Sequence, residues 1–180
     1  MEDKDIEIIL KEIGKQMNKK KITGEICICG GAAVAILGGR KSTSDIDCVH
    51  TLDKEFIKKI IYSLGYSNLE IINSDFQNSD SYFPEFIKKC NFHKEYGNKK
   101  LKVYVSTLEV MISMKLVAFR MRQDISDLEF LIKKYEENKN TKISSSKIYE
   151  FLTHTYGKDY NKKLSDLAIE YIKNINNIFY

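Results

Sequence analysis

The chain has 180 residues, of which 43% are hydrophobic, and a formal net charge of +4; that length and apolar content suit one domain, or one domain with an appendage, and exclude a disordered chain. The 29 basic residues include only three arginines, Arg40, Arg120 and Arg122, so the small positive excess is spread out and gives no arginine-rich nucleic-acid arm. No apolar run approaches the roughly 18 residues of a membrane span, and the charged start MEDKDIEIILKEI has no signal-peptide core, so a cytoplasmic setting is expected.

Ile6, Ile9, Leu10, Ile13 and Met17 recur at helical spacing and predict a helix from about Asp3 to Lys20. Ile26 to Cys29 is a short apolar run that reads as a buried strand, and Gly30-Gly31 then lets the backbone turn sharply into a helix opening at Ala32. Backbone N–H groups approached through side-chain-free glycines suit an anion, so Gly30 and Gly31 are candidates to cradle a triphosphate. Arg40 and Ser44, in the loop that follows, could also touch phosphate; ordinary surface and loop roles are the alternatives.

Asp45 opens a strand reaching His50, and Asp47 lies two residues on, which puts both carboxylates on one face about 6.5–7 Å apart at Cα. A pair of carboxylates beside a phosphate cradle suits Mg2+ or Mn2+ bound jointly with nucleotide; two solvated turn and edge aspartates would be the plainer reading.

Asp53 is placed to N-cap a helix bearing Phe56, Ile57, Ile60, Ile61 and Leu64, with Gly65 to end it. Asn68–Ile72 and Leu101–Val105 are β-prone, while Asn73–Lys100 reads as irregular. Ser106 and Glu109 form a capping-box pattern that opens the next helix. Lys115 shares the apolar stripe of Leu108, Met111, Ile112, Ala118 and Phe119, so its stem lies over apolar surface and its ammonium seeks an anionic partner. Asp124 is expected to N-cap a further helix and Asp127 to fall in its first turn. The polar stretch EENKNTKISSS reads as a linker, followed by one helix ending at Gly157 and a longer one striped from Tyr160 to Ile175.

Taken in order, GGAA, Arg40, STSDID, the Lys115-Leu116-Val117-Ala118 helix and Asp124-Ile125-Ser126-Asp127 resemble the nucleotidyltransferase superfamily of the DNA polymerase β type. Within it the chain is similar to small bacterial proteins related to the AbiEii toxins of type IV toxin–antitoxin systems. The resemblance covers about Ile6 to Tyr135, which sets the expected domains at 1–135 and 136–180. It implies an α/β (α+β) fold, a small mixed sheet with flanking helices, here with a C-terminal helical extension. It also implies transfer of a nucleoside monophosphate from an NTP to an RNA, protein or small-molecule hydroxyl, with an antitoxin protein as partner. By the same resemblance Asp45 and Asp47 hold the metal, Lys115 faces the phosphates, and Asp124, with Arg120 nearby, joins the active site.

One departure bears on catalysis. Most active members place a third acid on a later strand, whereas Leu101–Val105 turns Lys102 and Tyr104 outward and has none; Glu70 is a weak substitute. A non-catalytic nucleotide-binding or interaction module is therefore the alternative function. A sequence-independent RNA-binding protein is less favoured, because no aromatic residues interleave with the basic ones along the chain. Cys27, Cys29, Cys48 and Cys90 read as free thiols in a reducing compartment, and a zinc site from Cys27, Cys29, Cys90 and His93 is disfavoured because a buried Cys-x-Cys strand lacks loop geometry.

Overall fold

The computed structural model describes residues 1–66, 71–73 and 85–175, and these form two compact units, Met1–Ser106 and Thr107–Tyr180. The architecture is mixed α/β with flanking helices, as expected.

The first unit opens with α1 (Asp3–Lys20), whose stripe of Ile6, Ile9, Leu10, Ile13 and Met17 is buried. Glu2 and Asp5 close a reciprocal capping box at its start, and Lys21 in the left-handed region ends it. Then come β1 (Gly24–Ile28), α2 (Gly30–Ile36), β2 (Ile46–His50), α3 (Lys54–Ser63), β3 (Ile71–Asn73), β4 (Cys90–Tyr96) and β5 (Leu101–Ser106). The five strands lie in the order β3-β2-β1-β5-β4. Central β1 runs parallel to β5 and antiparallel to β2, so Ile28 pairs with Val105 on one side and Cys48 on the other. Period-two alternation sends Ile26, Ile28, Cys48, Leu101, Val103 and Val105 to one buried face, against which α1 packs through β4 and β5. There the approach is backbone to backbone. A Cβ on Gly97, at φ +60°, would lie 1.9 Å from the Gly14 carbonyl oxygen, and one on Gly14 would lie 2.6 Å from Tyr96 Cβ. Nearby, Tyr96 donates its hydroxyl to Glu7. As the spacing predicts, Asp53 N-caps α3 by accepting from the Phe56 N–H at 2.7 Å, and Gly65, at φ +85°, follows its end.

The second unit comprises α4 (Leu108–Ala118), α5 (Met121–Lys139), α6 (Ser145–Tyr156), a 3-10 turn (Lys158–Lys163) and α7 (Asp166–Lys173). Met111, Ile112, Leu116, Leu128, Leu131, Ile132, Ile148 and Leu152 are buried in it, and Tyr135 meets Phe151 edge-on at 5.1 Å. Ser144 caps α6 by accepting from the Lys147 N–H, and Gly157 ends it.

Several expectations need correction. β4 lies within the stretch read as irregular; it is an edge strand with mostly exposed polar residues, so its alternation carries little apolar signal. The N-cap of α4 is Thr107, with Ser106 still in β5. α5 starts at Met121, ahead of Asp124, and continues through EENK, where solvated residues extend the helix to an Asn140 left-handed cap. The striped segment after Gly157 is divided, because Ser165 caps a new start at Asp166. Cys27 and Cys90 are joined in a disulfide, so they are not free thiols, while Cys29 and Cys48 are buried and lie outside any disulfide. Residues 136–139 belong to the unbroken α5, which crosses the boundary expected at 135, and compactness divides the chain at 106/107. Glu70 and most of the Asn68–Ile72 run lie outside the described residues.

Candidate functional site

In the first unit the end of β1 and the start of β2 lie side by side, held by the Cys29 N–H donating to the Asp47 carbonyl at 2.8 Å. Gly30 follows at φ +58°, and a Cβ there would sit 1.9 Å from Asp47 Oδ2. Only glycine combines that backbone conformation with the Asp47 carboxylate at this distance. At Gly31 a Cβ would lie 2.7 Å from the Arg40 guanidinium nitrogen and 2.8 Å from Thr43 Oγ1. The glycine pair is thus bare on the side where Asp47, Arg40 and Thr43 gather.

Thr43 links this loop to the first carboxylate. Its hydroxyl donates to Asp45 Oδ1 at 3.1 Å and approaches the Asp45 carbonyl at 3.2 Å, and its own N–H donates to the Met1 carbonyl at 2.8 Å. Asp45 and Asp47 are half-buried, Arg40 is half-buried, and Ser44 is exposed. Asp45 precedes the strand by one residue while Asp47 lies inside it; both sit on the face of Val49, opposite Ile46 and Cys48.

Gly30, Gly31, Arg40, Asp45 and Asp47 are therefore brought together, with Thr43 as the residue that connects them. In the sequence Thr43 is one of three consecutive hydroxyl residues before Asp45; its special position comes from tertiary contacts that periodicity does not show. Two carboxylates and no other metal-type ligand gather here: among the described residues no group of three or more His, Cys, Asp or Glu side chains could hold a metal ion. Such a pair fits Mg2+, an oxygen-seeking ion that completes its shell with water and substrate phosphate. On β5 the residues sharing the face of Asp47 are Lys102, Tyr104 and Ser106, so no acid stands there. Beside it, burial pushes the Cys48 thiol up to about 12, with the nearby Asp47 charge adding to the effect.

Lys115, Asp124 and Asp127 form a second cluster, in the second unit. Lys115 Nζ lies 2.6 Å from Asp124 Oδ1 and 2.7 Å from Asp127 Oδ2, and the three residues are 5%, 1% and 3% exposed. Lys115 thus has the anionic partner its stripe position demands, and it is too buried to snorkel. Asp124 also accepts from the Arg120 backbone N–H, closing the turn between α4 and α5. Burial opposes ionisation of Asp124, but the Lys115 and Arg120 hydrogen bonds outweigh it and hold the carboxyl below its ordinary range. The Arg120 guanidinium is 3.5 Å from Asp124 and largely exposed.

No helix among the described residues is long and apolar enough to cross a membrane. No curated protein matches the chain. An antigenic nucleotidyltransferase-like protein from Paracoccidioides brasiliensis is similar in structure, with 14% identity, a TM-score of 0.46 and 94% of each chain covered. The family model described as nucleotidyltransferase of unknown function, DUF6036, matches residues 4–178. That match takes in the glycine turn, Asp45, Asp47 and the buried lysine cluster, and by it the chain belongs to the DUF6036 nucleotidyltransferases.

Proposed function

We propose that the protein transfers a nucleoside monophosphate from an NTP to a hydroxyl acceptor. The observation that carries this reading is the convergence of side-chain-free Gly30 and Gly31 on Asp47, Arg40 and Thr43, with Asp45 held by Thr43. Gly30 and Gly31 would admit the triphosphate, Arg40 and Ser44 would contact phosphate oxygens, and Asp45 and Asp47 would hold Mg2+ or Mn2+. The bound cation supplies charge neutralisation at the phosphates. The acceptor oxygen forms its bond to the α-phosphorus as the bond from α-phosphorus to the bridging oxygen breaks. Pyrophosphate leaves, and the hydroxyl proton passes to solvent. Positioning and electrostatics provide the rate gain. Lys115 and Asp124 keep, in this proposal, the active-site roles that the resemblance implies. A toxin component paired with an antitoxin protein, working in the cytoplasm on RNA or protein, is the biological setting that fits.

A second reading has one specific support, the absence of an acid among Lys102, Tyr104 and Ser106 on β5. It makes the chain a nucleotide-binding or interaction module without transfer. The test separates the two: α-labelled NTPs with Mg2+ or Mn2+ are offered to cellular RNA and protein, using wild type and Asp47→Asn. Label that appears with wild type and drops by 100-fold or more, on the order expected for loss of a transition-state charge contact, supports transfer. NTP binding without label under every condition leaves the module.

A further inference from the structure

Phe92 is 58% exposed, on the outermost strand of the sheet, and it meets Tyr104 of β5 edge-on with ring centroids 5.8 Å apart. Phe92 and Tyr104 are register partners, and Tyr104 pairs in turn with Cys27, whose partner on β2 is Val49. Paired residues share a face, so the aromatic pair lies on the same face of the sheet as Asp45 and Asp47. Toward the far end of that face is a cleft of about 490 Å³ lined by Lys99, Lys100 and Lys102 with Thr23, Thr51 and Glu25. Glu25 accepts from the Tyr104 hydroxyl at 3.2 Å, and Glu95 stands opposite Lys102. Three ammonium groups against these two carboxylates leave this end net positive.

Strand geometry sets the scale. Tyr104 lies two strands across and one face-repeat along from Asp47, about 12 Å away, and Lys102 is one face-repeat beyond Tyr104, about 7 Å more. An aromatic pair, Phe92 exposed and Tyr104 half-buried, and a lysine-lined cleft thus adjoin on the carboxylate-bearing face, over a length suited to a few nucleotides. Exposed rings that stack bases, beside cations that follow the backbone, are how proteins hold single strands. The interleaving of aromatic and basic groups that the linear sequence lacks is created by folding.

We propose that this face binds a single-stranded nucleic acid, with bases against Phe92 and Tyr104 and phosphates at Lys99, Lys100 and Lys102, so that the terminal hydroxyl of the strand is the acceptor. The inference rests on the transferase reading for its acceptor role, while the binding surface stands without it.

The test is fluorescence anisotropy with fluorescein-labelled oligo-uridine and oligo-deoxythymidine twelve-mers, without NTP, across a salt series. Wild type binds, Phe92→Ala weakens binding about five- to tenfold, as loss of one stacked base requires, and Phe92→Trp restores it. The double variant Lys99→Glu/Lys102→Glu weakens binding and flattens the logarithmic salt slope by about 1.4, the value for two lost phosphate contacts on a single strand. Lys158→Glu/Lys162→Glu, on the exposed 3-10 turn, changes neither beyond a general charge effect. Preference for the uridine oligomer assigns RNA, and equal binding assigns single strands in general. Wild type that fails to bind either oligomer, or binding indifferent to the Phe92 and lysine changes with circular dichroism and melting intact, overturns the proposal. Oligomer binding without nucleotide transfer would sink the transferase reading alone; transfer to protein or a small molecule without oligomer binding would sink this one alone.

Discussion

Replacing Lys115 by Met is the most informative perturbation of the second unit. The methionine keeps the apolar stem but removes the ammonium that lies 2.6 Å from Asp124 and 2.7 Å from Asp127. Both carboxylates are nearly inaccessible, so the variant leaves charge in the interior without its counter-ion. Breaking a buried pair in this way costs about 3–5 kcal/mol, which for a chain of this size lowers Tm on the order of 6–20 °C. The pH dependence gives a second readout. In wild type the Asp124 pKa is lowered, so its contribution is present above the unfolded value and is lost as pH falls through the folded one. In Lys115→Met the stranded carboxyl is raised instead, so its penalty is relieved below the unfolded value and grows as pH rises through the folded pKa. Urea unfolding at pH 5 and pH 7 should show the variant gaining relative to wild type at the lower pH. A loss under 1 kcal/mol, with no change in pH response, would refute the buried triad as the anchor of the α4–α5 turn.

Gly30→Ala should lose NTP binding and stability together, by about 2 kcal/mol or more, because the new Cβ meets Asp47 Oδ2 at 1.9 Å in a left-handed backbone; titration with NTP and a melt check both. The disulfide between Cys27 and Cys90 closes a separation of 63 residues, for which chain entropy gives about 4 kcal/mol. Dithiothreitol should lower the melting temperature of wild type and leave Cys27→Ser/Cys90→Ser unaffected. Burial, aided by Lys54, lowers the His50 pKa against the opposing Leu52 hydrogen bond and the Asp53 charge. Its contribution is therefore present above the unfolded value near 6.5 and fades as pH falls toward the lowered folded value. Stability measured from pH 7 to 5 should fall less steeply in His50→Phe.

Much of the first unit is legible in the sequence because its signals are local. The α1 stripe, the Asp53 cap and the Gly65 stop are set by spacing and backbone chemistry within a few residues. The glycine pair and the two aspartates are legible as types, and their spacing places the carboxylates on one face. Thr43 is not legible, since besides Asp45 it meets Met1 and the bare side of Gly31, which are distant in sequence. The same holds for Cys27 and Cys90, where a cysteine of an apolar strand and one from a stretch that reads as irregular become partners only once β5 brings β1 and β4 within reach. Lys115 is an intermediate case: its stripe position announces a need for an anion, and Asp124 and Asp127 meet that need from the following helix, a long-range choice that periodicity leaves open. β4 is hidden because an edge strand facing water needs no apolar alternation.

The touching backbones of Gly14 and Gly97 bear on how this family can vary. Each glycine occupies the space that the other's side chain would need, with only 1.9 Å from a Gly97 Cβ to the Gly14 oxygen. Neither position can drift alone, and a substitution at one changes which residues the other tolerates. In a double-mutant cycle the two should be strongly non-additive, and across relatives they should change in step, with the tilt of the first helix over the hairpin as the quantity that adjusts.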